Sequence, residues 1–225
     1  LVERGSKIAF VGQNGQGKTT LAKMIIGEIP YEGSIRLGHN VEIGYFAQNQ
    51  AHYLDGELTL LDTMLNAAND SNRIKVRDIL GAFLFRGDEV EKKVKVLSGG
   101  ERNRLALAKM LLSSFNVLVM DEPTNHLDIA SKNVLKQALQ RFEGTLIIVS
   151  HDRDFLTGLT DKVYEFKNHT IKEYLGDIDF YLEQRAVSSF REIEKGEEVK
   201  KEVVVEKEKT LSCEEQKERK KLTNQ

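Results

Sequence analysis

Apolar residues along this chain alternate between two periodicities. Short unbroken runs, Ile8-Ala9-Phe10-Val11, Val117-Leu118-Val119-Met120 and Thr145-Leu146-Ile147-Ile148-Val149, have the length and β-branched content of strands buried on both faces. Helical spacing separates them. Residues 20–26 read as the first turns of a helix, and Leu105, Ala108, Leu111 and Leu112 form a stripe behind Gly99-Gly100. Over residues 59–85, Leu60, Leu61, Met64 and Leu65 share one face and Val76, Ile79, Leu80, Phe83 and Leu84 another, which predicts a helical insertion within residues 50–115. The run at 117–120, a helix-like stretch at 130–142 and the run at 145–149 make a βαβ unit, so the expected fold class is α/β with a mostly parallel sheet covered by helices. Ser34-Ile35-Arg36-Leu37 and Val41-Glu42-Ile43-Gly44-Tyr45-Phe46 around Gly38-His39-Asn40 predict a small antiparallel element. A second hairpin is expected around Asn168-His169, and a closing helix over 177–184.

This patterning stops near residue 187. From Ser188 onward about half the residues are charged, with both signs mixed, as in a solvated linker or the foot of a long helix. The expected division is therefore a globular domain over 1–187 and a charged extension over 188–225. A chain of 225 residues with 40% hydrophobic content suits one sizeable α/β domain and an appendage. A net charge of −2 leaves nucleic-acid binding to local patches, and the Arg73, Lys75, Arg77 and Lys92, Lys93, Lys95 clusters read as solvated helix faces. Cys213, the single cysteine, cannot form an internal disulfide. No run approaches the roughly 18 apolar residues of a membrane span, and the start is unlike a signal peptide, so a cytoplasmic location is expected. The chain starts directly before its first strand and stops inside a charged stretch, which suggests a segment of something longer.

Chemistry concentrates at the ends of the apolar runs. Gly12-Gln13-Asn14-Gly15-Gln16-Gly17-Lys18-Thr19 matches G-x-x-x-x-G-K-[ST] between a strand and a helix, the context of a phosphate-binding loop. Its N–H groups and the helix dipole favour an anion, Lys18 adds a full charge at the β- and γ-phosphates, and Thr19 offers a hydroxyl to Mg²⁺. Thr20 extends the cradle into the helix. Asp121-Glu122 ends the run at 117–120, where Asp121 is placed to hold Mg²⁺ and Glu122 to polarise an attacking water as general base. His39, His52, His126 and His169 lack metal-ligand spacing and read as surface or turn residues.

Leu97-Ser98-Gly99-Gly100-Glu101 stands before a helix, where a serine hydroxyl and free N–H groups suit a phosphate. Together with the phosphate loop, Gln48 in Phe46-Ala47-Gln48, Asp121-Glu122-Pro123, Asn125-His126-Leu127-Asp128 and Ser150-His151-Asp152, it resembles an ABC-type ATPase domain, a P-loop NTPase fold with a helical subdomain. The resemblance implies that Gln48 senses Mg²⁺ and the γ-phosphate, that Leu97 to Glu101 is the signature, and that Asn125 to Asp128 is the D-loop. It also implies that His151 contacts the γ-phosphate. Ser98, Gly99 and Gly100 would then complete the ATP site of a partner domain, and Asp128 would also be a nucleotide-binding residue.

Pro123-Thr124-Asn125-His126-Leu127-Asp128 is similar to the ABC-F subfamily, whose members hold two ABC domains in one chain without a transmembrane part and act mostly on the ribosome. Residues 174–185 and 211–221 resemble the end of the second ABC domain and the start of its C-terminal extension. The resemblance thus implies an ATP-hydrolysing domain of a ribosome-associated translation factor, with ATP and Mg²⁺ as cofactors and ribosomal RNA as a contact. The family's adenine-stacking aromatic would lie upstream of Leu1. The rival reading is the nucleotide-binding subunit of an ABC transporter, against which Asn125-His126 and the charged tail argue.

Overall fold

The computed structural model describes residues 1–187, apart from 48, 49 and 126 and the side chain of His52. They fall into two compact units, Leu1–Asp179 and a second that starts at Phe180 and is helical over 180–187. The first unit holds a six-stranded sheet in the order β2-β3-β4-β1-β5-β6, built from β1 (Lys7–Gly12), β2 (Ile43–Phe46), β3 (Val117–Asp121), β4 (Thr145–Val149), β5 (Lys162–Lys167) and β6 (Thr170–Leu175). The five strands from β2 to β5 run parallel and only β6 is antiparallel. β4 is central and all five of its residues are buried, as a strand covered on both faces requires. Around Phe10, its ring 5.1 Å from that of Phe166, the buried Ile8, Ala22, Val119, Ile147 and Val149 pack α1 (Lys18–Ile25) onto the sheet.

The helical segment lies between β2 and β3. It contains α2 (Leu60–Ala67), α3 (Val76–Ala82) and α4 (Gly99–Met110). Leu60, Met64, Val76, Leu80 and Phe83 are buried, so the two apolar faces expected over residues 59–85 do meet the core. They belong to separate helices because Asn69 Oδ1 accepts from the N–H groups of Ser71 and Asn72, an Asx turn that stops the helix. After β3, α5 (Ile129–Gln140) crosses back to β4, and α6 (Arg153–Leu156) precedes β5. Asn168 (φ 51°) and His169 (φ 59°) are both left-handed, as a two-residue hairpin turn between right-twisted strands demands.

The first hairpin is a correction. Residues 34–37 form no strand and are almost wholly exposed, so the separate antiparallel β element expected there is absent among the described residues. Ile43–Phe46 pairs instead in parallel with Val117–Met120. Asn116 fixes that choice by accepting from the Glu42 N–H (3.0 Å) and donating to the Asn40 carbonyl (2.6 Å), which joins the approach of β2 to the foot of β3.

Candidate nucleotide-binding site

Register decides which residues meet. Phe10 pairs with Val149, and Val149 with Asp121, so the parallel strands β1, β4 and β3 end side by side at one edge. The loops leaving these three strands therefore converge. A cleft of ≈ 560 Å³ at this edge is lined by Asn14, Gly15, Gly17, Lys18, Thr19, Thr20, Asp121, Glu122, Asn125, Val149 and His151.

Two glycines permit the loop its path. At Gly12 (φ 144°) a Cβ would lie 2.3 Å from the Phe166 carbonyl oxygen, and Gly17 (φ 93°) turns left-handed to cap α1. Lys18 is buried, and its ammonium donates to the carbonyls of Gly12 (2.8 Å) and Gln13 (2.9 Å). Burial lowers its pKa, opposed by Glu122 and Asp121. Gln16 keeps its Oε1 buried without a partner in the structure. The Thr19 hydroxyl donates to Asp121 Oδ1 at 3.2 Å, so a hydroxyl and a carboxylate oxygen stand together beside the loop. Such hard oxygen donors fit Mg²⁺, which keeps waters and takes only one or two protein ligands besides phosphate. No cluster of three or more His, Cys, Asp or Glu side chains suited to a metal occurs among the described residues.

Glu122 adopts φ 48°, a left-handed conformation uncommon for a residue with a Cβ, and its N–H donates to the Val149 carbonyl at 2.8 Å. Its Oε1 lies 3.4 Å from His151 Nε2. Burial raises the Glu122 pKa, a hydrogen bond from the His151 backbone N–H opposes this, and the neighbouring Asp121 raises it further. Asp121 is also raised by burial, against the Thr19 hydrogen bond and the charge of Lys18. Burial, then Lys18, lowers the His151 pKa and favours the neutral imidazole. A carboxylate with a raised pKa beside a neutral imidazole is suited to proton transfer.

Other expected site residues lie elsewhere. Ser98 caps α4 in a reciprocal box with Glu101, accepting from its N–H (3.3 Å) while the Ser98 N–H donates to Glu101 Oε2 (2.7 Å). Gly99 and Gly100 open that helix, Asp128 caps α5 through the Ser131 N–H (2.7 Å), and none of the four lines the cleft. Gln48 lies outside the described residues. Asn125, which the sequence marks only through its family motifs, stands on the wall of the cleft, where the turn after Glu122 brings it. Within the basic clusters, Lys93 and Lys95 pair with Glu57, Lys92 with Glu89 and Arg77 with Glu91.

No helix among the described residues is long and apolar enough to cross a membrane. A family profile described as "ABC transporter" matches residues 1–125. ABC transporter F family member 5 of Arabidopsis thaliana is 44% identical over 200 residues, 88% of this chain and 29% of that protein. The chain spans 29–30% of the length of the first curated relatives it matches. Among solved structures, RNase-L Inhibitor superposes with a TM-score of 0.68 at 26% identity, over 83% of this chain and 38% of that one. A dimeric ATP-binding cassette in a post-hydrolysis state with ADP and Pi gives 0.62 at 21% identity, over 78% and 87%, and shows the shared fold alone. The chain belongs to the ABC transporter family, with the ABC ATPase fold, and within that family to its F-type branch.

Proposed function

We propose that this chain binds and hydrolyses ATP, that it is the C-terminal ABC domain of a cytoplasmic F-type protein acting on the ribosome, and that ATP closes it against a second ABC domain. The observation behind the hydrolytic reading is the convergence of Lys18 and Thr19 with Asp121, Glu122 and His151 around one cleft. In this reading residues 12–20 cradle the phosphates and Lys18 exchanges its loop carbonyls for β- and γ-phosphate oxygens. Mg²⁺, held by Thr19 and Asp121 with Gln48, would draw charge off those oxygens. Glu122 accepts a proton from the attacking water, and neutral His151 donates to the γ-phosphate. The resemblance of Pro123 to Asp128 to the ABC-F subfamily is the ground for the ribosomal role, and the placement of Ser98, Gly99 and Gly100 away from the cleft is the ground for a two-domain partnership.

Glu122→Gln tests both parts. It keeps size and polarity but removes the base, so turnover should fall about 10²–10⁴-fold while nucleotide still binds. The same variant of the full chain should co-sediment with ribosomes in ATP and leave them in ADP. Unchanged turnover would refute the catalytic role, and recovery only with a membrane permease would refute the ribosomal one.

A further inference from the structure

The helix that begins at Ser98 is bonded to the catalytic turn by a side chain that the phosphate chemistry does not use. Asn103 is only 6% exposed, and its Nδ2 donates to the Asn125 carbonyl at 2.9 Å. The Asn125 N–H in turn donates to the Glu122 carbonyl at 3.2 Å. Two hydrogen bonds therefore connect α4 to the backbone of the residue read as general base. Next along the helix, the Arg104 guanidinium lies 3.8 Å from Asp128 Oδ2 and 5.2 Å from the centre of the buried Phe85 ring, so the loop is held again at its far end. α4 is itself anchored, with Leu105, Leu107 and Ala108 fully buried.

Asn103 is a costly residue at this place. Its Oδ1 is buried with no partner in the structure, a penalty that an apolar side chain of similar size would avoid. The strained φ of Glu122 supplies a reason for the amide. A left-handed Glu persists only where its surroundings over-determine it, and the bond from Asn103 to Asn125 is one of the constraints. We propose that Asn103 is a positioning residue for Glu122 and that it transmits the placement of the signature helix to the catalytic carboxylate. The inference rests on the reading of Glu122 as general base.

Asn103→Leu in the full chain removes the donor and also the orphaned acceptor. ATP turnover should fall about 10- to 100-fold, the cost of a misplaced catalytic group. KM should stay within about threefold because Lys18 and Thr19 are untouched, and the melting temperature should not drop. In a Glu122→Gln background the same change should lower the residual rate no further, since Asn103 acts through the group already removed. A merely structural residue would instead lose stability and reduce both rates alike. Normal kcat in a folded Asn103→Leu chain, or an equal loss on top of Glu122→Gln, overturns the inference. If Asn103→Leu lowers the melting temperature, Asn103→Ser provides the same comparison. A Glu122→Gln chain with full turnover overturns the proposed function and this inference with it, whereas an impaired Glu122→Gln beside an unimpaired Asn103→Leu overturns the inference alone.

Discussion

Glu122 and Asp121 share a buried edge of the sheet; burial raises the pKa of both, and the charge of Asp121 raises that of Glu122 further. A general base works only as the carboxylate, so the Glu122 pKa, raised from 4.5, moves the acid limb of activity upward. kcat/KM should rise with pH through a midpoint above 4.5. Stability runs the other way. The folded state holds these protons more tightly than the unfolded chain, so their contribution is full below the unfolded value and is lost as pH rises through the folded one. A pH–rate profile whose acid limb sits at or below 4.5 would contradict the burial argument. Burial and the charge of Lys18 lower the His151 pKa, which favours its neutral form.

Strand β1 and the loop after it depend on a glycine that also binds β1 to β5. At Gly12 an added Cβ meets the Phe166 carbonyl oxygen at 2.3 Å with φ at 144°, so Gly12→Ala should destabilise by about 2–4 kcal/mol through overpacking and backbone strain. Gly33, at φ 104° with nothing within 4 Å, is the control and should lose only the backbone part, about 1–2 kcal/mol, in urea unfolding. Equal losses at the two sites would show that strand contact is not the cause. The need for Gly12 was legible in the phosphate-loop motif, but its clash partner on β5 was not, because that contact spans the chain. The same division holds for whole elements. The strands at 117–121 and 145–149 announced themselves as continuous apolar runs, and the hairpin at Asn168-His169 by turn chemistry. Residues 41–46 also read as a strand, yet their partner was misassigned, since local alternation cannot report that Asn116 would hold Glu42 and Asn40. Of the cleft, the residues on the loop and at strand ends were readable, whereas Asn103 looked like any polar residue on an apolar helix; its role depends on a contact 22 residues away.

Ser98, Gly99 and Gly100 stand at the N-terminus of α4 and none lines the cleft formed by Lys18 and Glu122, so one copy of this unit leaves its signature residues away from its own phosphate loop. If they act on the nucleotide of a second ABC domain, hydrolysis becomes a property of the pair, and the energy of γ-phosphate binding becomes a population shift between open and closed pairs. The chain of residues 1–225 should then bind MgATP through Lys18 and Thr19 when dilute, yet turn it over slowly. Its specific activity should climb with protein concentration or on adding another ABC domain. Ser98→Arg puts a long cation at the shared face and removes the hydroxyl that accepts from Glu101 N–H, so stability should fall by about 0.5–2 kcal/mol, the usual cost of a lost cap. Nucleotide binding by the monomer should remain nearly unchanged, because no atom of the cleft is altered. The rise in activity with concentration should disappear. Measuring ATPase rate against concentration for both chains, with nucleotide affinity alongside, separates the outcomes: full activity in a dilute monomer that ignores Ser98→Arg would mean that one chain completes its own site and that the paired mechanism is wrong.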